Sequence, residues 1–93
     1  MSEEIMAKVF ALRKEAVEIV GVFDAANNRD AAIDPRPLGE AIQFVANASV
    51  LGYDVRSAMI FYGTPGTPSL RTNDCERLWD KYGMSLVRSD RMG

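Results

Sequence analysis

Ile5, Val9, Leu12, Ala16, Ile19, Phe23 and Ala26 recur at alternating intervals of four and three residues, a heptad seam that lasts three repeats. A stripe with this spacing falls on one side of an α-helix and must be buried against something. Met6, Phe10, Val17 and Val20 form a second apolar row beside it, while Glu4, Lys8, Glu15 and Glu18 fall on the opposite side. The pattern predicts a first helix from about Glu3 to Ala26. Ser2 is placed to cap it, Glu3 and Glu4 suit its positive end, Glu4 and Lys8 form a favourable i,i+4 pair, and Asn27 and Asn28 suit its termination.

Residues 29–37 read as a linker, because Pro35 and Pro37 each restrict the residue before them away from helical angles. Pro37 can then open a second helix, in which Leu38, Ile42, Val45 and Ser49 make a stripe flanked by Ala41, Phe44, Ala48 and Leu51, up to a stop at Gly52. Asp54 is placed to cap a short third helix through Val55, Met59 and Tyr62, with Gly63 ending it. The run Met59-Ile60-Phe61-Tyr62 has strand-like content, but no second strand is evident for it to pair with, so the helix is expected. Thr64 to Ser69 form a turn-rich loop, with Pro65-Gly66 suited to the middle of a type II turn. Asn73 and Glu76 read as a variant capping box for a fourth helix over 73–82, with Cys75, Leu78, Trp79 and Tyr82 on one face and Gly83 closing it. Met84 is expected to fold back on that end, and residues 88–93 to fray. The expected fold is all-α: a single domain over 1–93, a small four-helix orthogonal or antiparallel bundle with a long N-terminal helix.

Composition then narrows the function. The 93 residues include no histidine, so mechanisms that require an imidazole are excluded, from Ser-His and Cys-His pairs to His-ligated zinc. One cysteine excludes an internal disulfide and any two-cysteine metal site. A chain this short supports one modest core rather than a deep enclosed cavity. Charge is spread without a strong basic face: residues 2–28 carry −2, residues 29–63 carry −1 and residues 64–93 carry +1. Nothing there would offset a polyphosphate, and nucleic acid is not an expected partner. The acidic start Ser2-Glu3-Glu4 and the charges that interrupt the first apolar run argue against a signal peptide or a membrane span, and place the chain in the cytoplasm, most simply of a bacterium or phage.

Candidate reactive features are few. The doubled Gly-Thr-Pro at 63–68 lacks the Gly-Lys-Ser/Thr ending of a phosphate loop, and its prolines lack the N–H groups that would cradle an anion; it reads as a connector. Asp74, Glu76 and Asp80 lie among Arg77 and Lys81 and read as a solvated helix face. Cys75 shares a stripe with Leu78, Trp79 and Tyr82 and reads as a small buried hydrophobe rather than a nucleophile. No catalytic, cofactor-binding or metal-binding residue is assigned, and no cofactor is expected.

What remains is apolar surface beyond the needs of four short helices. Ile5, Val9, Phe10, Leu12, Val22, Met59, Phe61 and Tyr62 are the candidate partner-binding residues. The expected function is a small non-enzymatic protein–protein interaction module, homodimeric in the first instance. It would act as a regulator or inhibitor that masks a surface of a larger protein, in the manner of an anti-activator or a phage inhibitor. The alternative is a DNA-binding regulator whose helix-turn-helix-like hairpin would use Asp54 to Tyr62 as recognition helix; that segment carries one cation, Arg56, and is otherwise poor in groups that read bases.

Overall fold

The computed structural model describes residues 2–63 and 69–88, and it overturns the all-α bundle. The chain is an α+β fold, with three helices and seven short strands in two antiparallel sheets among the described residues. The first helix, α1, runs only over Glu3–Ala11. Ser2 caps it as expected, its Oγ accepting the Ile5 N–H at 3.2 Å. Residues 12–15 then turn, and the remainder of the predicted helix becomes strand β1 (Ala16–Val20) and the short strand β2 (Phe23–Asp24). The deciding sequence is Val17, Ile19, Val20 and Val22, β-branched side chains that pack well on a pleated surface and lose freedom in a helix. Burial along β1 alternates strictly, with Val17 and Ile19 inward and Ala16, Glu18 and Val20 outward, so the two-residue period prevails over the heptad.

Between β1 and β2, Gly21 adopts φ +75°, and a Cβ there would stand 2.1 Å from the carbonyl oxygen of Ser57. Only glycine permits both that backbone angle and that approach. Asn27 and Asn28, expected to end a helix, instead make the turn into β3 (Arg29–Asp30). The Asp24 carboxylate accepts the Asn27 backbone N–H at 3.2 Å and its side-chain amide at 2.7 Å, and Asn28 takes the left-handed conformation. The predicted linker thus contributes β3 and, at its end, β4 (Arg36–Pro37).

The second predicted helix is present as α2 (Leu38–Asn47), followed by a 3₁₀ turn over Ala48–Leu51 that ends at left-handed Gly52. Its opening amides need no side-chain cap, because the Leu38 and Gly39 N–H groups donate to the carbonyls of Glu15 and Arg13, both at 2.7 Å. The third predicted helix does not exist. Its residues form β5 (Tyr53–Asp54), a turn, and β6 (Met59–Phe61). Asp54 caps that turn by accepting the Arg56 N–H at 3.0 Å, and the helix-turn-helix hairpin loses its recognition helix. After β7 (Ser69–Arg71), α3 (Thr72–Tyr82) occupies the position of the fourth predicted helix and ends at Gly83. The side chain at its start is Asp74 rather than Glu76, accepting the Arg71 N–H at 3.0 Å, while the Thr72 hydroxyl donates to the Val55 carbonyl. Met84 is about half exposed, and Leu86 of the following 3₁₀ turn (Gly83–Leu86) is the residue that turns inward. Of the turn-rich loop expected over 64–69, Ser69 belongs to β7 and 64–68 lie outside the described residues; of the tail expected to fray over 88–93, Arg88 donates its backbone N–H to the Met84 carbonyl at 3.0 Å and 89–93 lie outside the described residues.

The larger sheet has strand order β4-β1-β6-β7 and the smaller one β3-β2-β5, so the chain passes from one to the other at Gly21. Helices α2 and α3 pack on each other; α2 also meets β1 and β4, and α3 meets β7, which covers one face of the larger sheet. The core lies between: Val17, Ile19, Ile60 and Leu70 from the sheet against Leu38, Ile42, Val45, Cys75 and Leu78 from the helices. Helix α1 contributes Met6 and Val9 to it. It is also tied to α3 by Phe10 stacked on Tyr82 with centroids 4.4 Å apart, with the Arg13 guanidinium 4.1 Å from the Phe10 ring and Glu3 paired to Lys81 at 3.0 Å. Among the described residues, no helix is long and apolar enough to cross a membrane.

Candidate functional site

Strand alternation puts a different set of residues on the other face of the larger sheet. Register aligns Glu18 with Phe61 and Phe61 with Ser69 in one row, and Val20 with Met59 and Met59 with Arg71 in the next. These six side chains form a grid two residues deep on three adjacent strands. Val20 is 42% exposed and Phe61 50%, Met59 and Ser69 are half-buried, and Glu18 and Arg71 are exposed. Apolar side chains therefore occupy the middle, with a carboxylate at one corner and a guanidinium at the diagonally opposite one. Neither charged group is paired with a described residue.

The eight residues chosen from sequence are dispersed by this architecture. Met59 and Phe61 meet on the open face. Val9 and Val22 are core residues at 0% and 3% exposure. Phe10, Leu12 and Tyr62 are half-buried and pack against the core, Phe10 on Tyr82. Ile5 is exposed on α1. The reading missed Val20, Glu18, Ser69 and Arg71, which join the face only through strand pairing. The signal for Val20 was present in the alternation of residues 16–20.

Val50 and Leu51, at 86% and 65% exposure, protrude from the 3₁₀ turn after α2, a second apolar patch on a separate element. Leu51 borders a groove of about 290 Å³ with Phe44 and Arg36, whose guanidinium lies 5.3 Å from the Phe44 ring. An open cleft of about 510 Å³ is lined by Gly21, Phe23, Asp30, Asp54, Arg56 and Ser57. Its guanidinium is spent internally: the Arg56 Nη2 donates to Asp54 at 2.7 Å and its Nε at 3.1 Å. That hydrogen bonding lowers the Asp54 pKa and raises that of Arg56. Cys75 is fully buried, and burial, with Asp74 and Glu76 adding to it, pushes its thiol up to about 12, the reverse of what an attacking thiolate needs. Among the described residues, no group of three Cys, Asp or Glu side chains is placed to hold a metal ion.

The open face thus combines an exposed phenylalanine and a half-buried methionine with charge that no described residue pairs, the composition found at the centre and rim of protein contacts. Compared with protein-family models, curated proteins and solved structures, the chain matches none of them.

Proposed function

We propose that this chain is a non-enzymatic protein–protein interaction module whose contact surface is the open face of its four-stranded sheet, and that it acts as a small regulator or inhibitor by covering a surface of a larger protein. The observation that carries this reading is the side-by-side placement of exposed Val20 and Phe61 and half-buried Met59 on a sheet whose opposite face is packed by α2 and α3. A flat apolar centre on a preformed support lets a partner bind without ordering the chain first, and that saves conformational entropy. Methionine and phenylalanine are residue types that contribute most when fully desolvated in a contact.

The test is affinity capture from a lysate of the native host on immobilised wild type, Phe61→Arg and Val50→Ser, each first shown to be folded by circular dichroism. A protein retained by wild type and Val50→Ser but lost by Phe61→Arg, and then bound again as a purified component with the same dependence, is the expected result. Equal retention on all three columns, loss with Val50→Ser alone, or no retained protein would overturn the reading.

A further inference from the structure

We propose that a second copy of this chain docks on the same face, related by a two-fold axis lying in the contact plane, so that Glu18 of each protomer meets Arg71 of its partner. This rests on reading the open sheet face as the contact surface, and it adds an occupant and a geometry. The grid of Glu18, Phe61 and Ser69 over Val20, Met59 and Arg71 is fixed by register. Adjacent strands lie about 4.8 Å apart and alternate residues about 6.8 Å apart along a strand, which puts the Glu18 and Arg71 positions on the order of 12 Å from each other. A two-fold axis exchanges two positions when it passes midway between them and runs perpendicular to the line that joins them. Here that axis lies roughly along the other diagonal, from the Val20 corner toward the Ser69 corner.

Applying it brings both Glu18–Arg71 pairs together at once. It also brings Val20 over the partner's Met59, and Phe61 toward the partner's Ser69, whose small side chain leaves room for a ring. The strands of the two sheets then cross at about 70°, near the orthogonal class of sheet packing. Two-fold contacts require self-complementarity, and a face with one acid and one base at opposite corners around an apolar centre has it. A like-charged or one-sided arrangement would have repelled its copy.

The size of the face sets the strength. Three strands a few residues long cover on the order of 250 Å², well below the ~800 Å² per partner of a standard stable interface. The dimer is therefore weak, populated from high-micromolar concentration upward, and weakened by salt because its charged pairs sit at the rim. Self-association covers the face that binds the larger protein, so the dimer is a masked form that a tighter partner displaces.

Sedimentation of the full chain from about 10 μM to about 1 mM, at low and high salt, tests this. The expected result is concentration-dependent dimer whose dissociation constant rises at least about threefold from low to high salt. E18R and R71E alone should each weaken it about tenfold or more, whereas the double variant E18R/R71E and an equimolar mixture of the two single variants should restore it, since each recreates opposite charges at both corners. E18Q guards against a misfolded reversal and should weaken it less than E18R. A monomer throughout the range, or a dimer indifferent to both reversals, would overturn the proposal. In either case, loss of the captured partner with Phe61→Arg would leave the contact surface standing. A charge-restored dimer with no such loss would separate the outcomes the other way.

Discussion

Ile60 is fully buried, and Phe61, the next residue of β6, is half exposed; the same step separates Ile19 from Val20 and Leu70 from Arg71. On the covered side every position of the three strands is aliphatic and buried in the core shared with the helices. On the open side the composition is mixed, with Glu18, Ser69 and Arg71 beside Val20, Met59 and Phe61. One backbone therefore serves two purposes, set apart by the two-residue period alone: the inner residues hold the fold, and the outer ones are available to recognise something.

The sharpest way to break that division is to truncate on the inner side. Ile60→Ala should destabilise by about 2–5 kcal/mol, because the side chain has 0% exposure and sits in the core on β6, between β1 and β7. Urea unfolding followed by circular dichroism measures it. A loss under about 1 kcal/mol would mean that the inner face does not carry the stability assigned to it. Gly39→Ala tests the same layer from the helix side. A Cβ at that position would stand 1.8 Å from the Leu86 carbonyl oxygen, so α2 and the 3₁₀ turn after α3 must separate, at a cost of about 1–3 kcal/mol despite the helix propensity gained. A rise in stability on the same urea assay would show that the two elements give way freely.

How much of this division the sequence reveals depends on the segment. α2 and α3 are legible because local signals agree with the outcome: Pro37 before the first turn, Gly52 and Gly83 at the ends, and apolar stripes of helical period. The segment from Leu12 to Ala26 is not, because Ile19 and Phe23 fit a heptad and a strand equally well. The choice is made by partners far along the chain. The turn at 12–15 offers carbonyls to the start of α2, and Gly21 meets Ser57. The two segments depend on each other: if residues 16–20 are helical, Met59–Phe61 has no visible strand to pair with, although β1 is that strand. The candidate face suffered likewise. Met59 and Phe61 share a side by their own spacing, but Val20, Glu18 and Arg71 reach them only through register.

Cys75 offers a smaller and pH-dependent test of the covered side. Its thiol is raised from an ordinary 9.0 to about 12, chiefly by burial. In the interval between those values the unfolded chain has released the proton while the folded chain keeps it, so rising pH favours unfolding. The stability linked to this group is complete below about pH 9 and is lost as pH climbs toward 12, at about 1.4 kcal/mol per unit at most. The advantage of wild type over Cys75→Ala in urea should accordingly shrink between pH 9 and 11 and stay constant from 6 to 8. Parallel curves over the whole range would mean that the thiol is already hydrated in the native state.

The smallest effect on stability is expected where the effect on recognition is greatest. Phe61→Ser removes a ring that is 50% exposed and leaves Ile60, its inward neighbour, untouched. Serine already stands opposite it in β7 at position 69, so the strand pairing survives. The lost burial is partial and the new hydroxyl faces water, which limits the change to about 1 kcal/mol or less. The same substitution deletes the largest apolar contact on the open face and should abolish both self-association and partner capture. Thermal melting alongside sedimentation reads the two quantities on one sample. If Phe61→Ser cost as much stability as Ile60→Ala, the two sides of the sheet would not be divided between folding and recognition, and the open face would have to be regarded as part of the core.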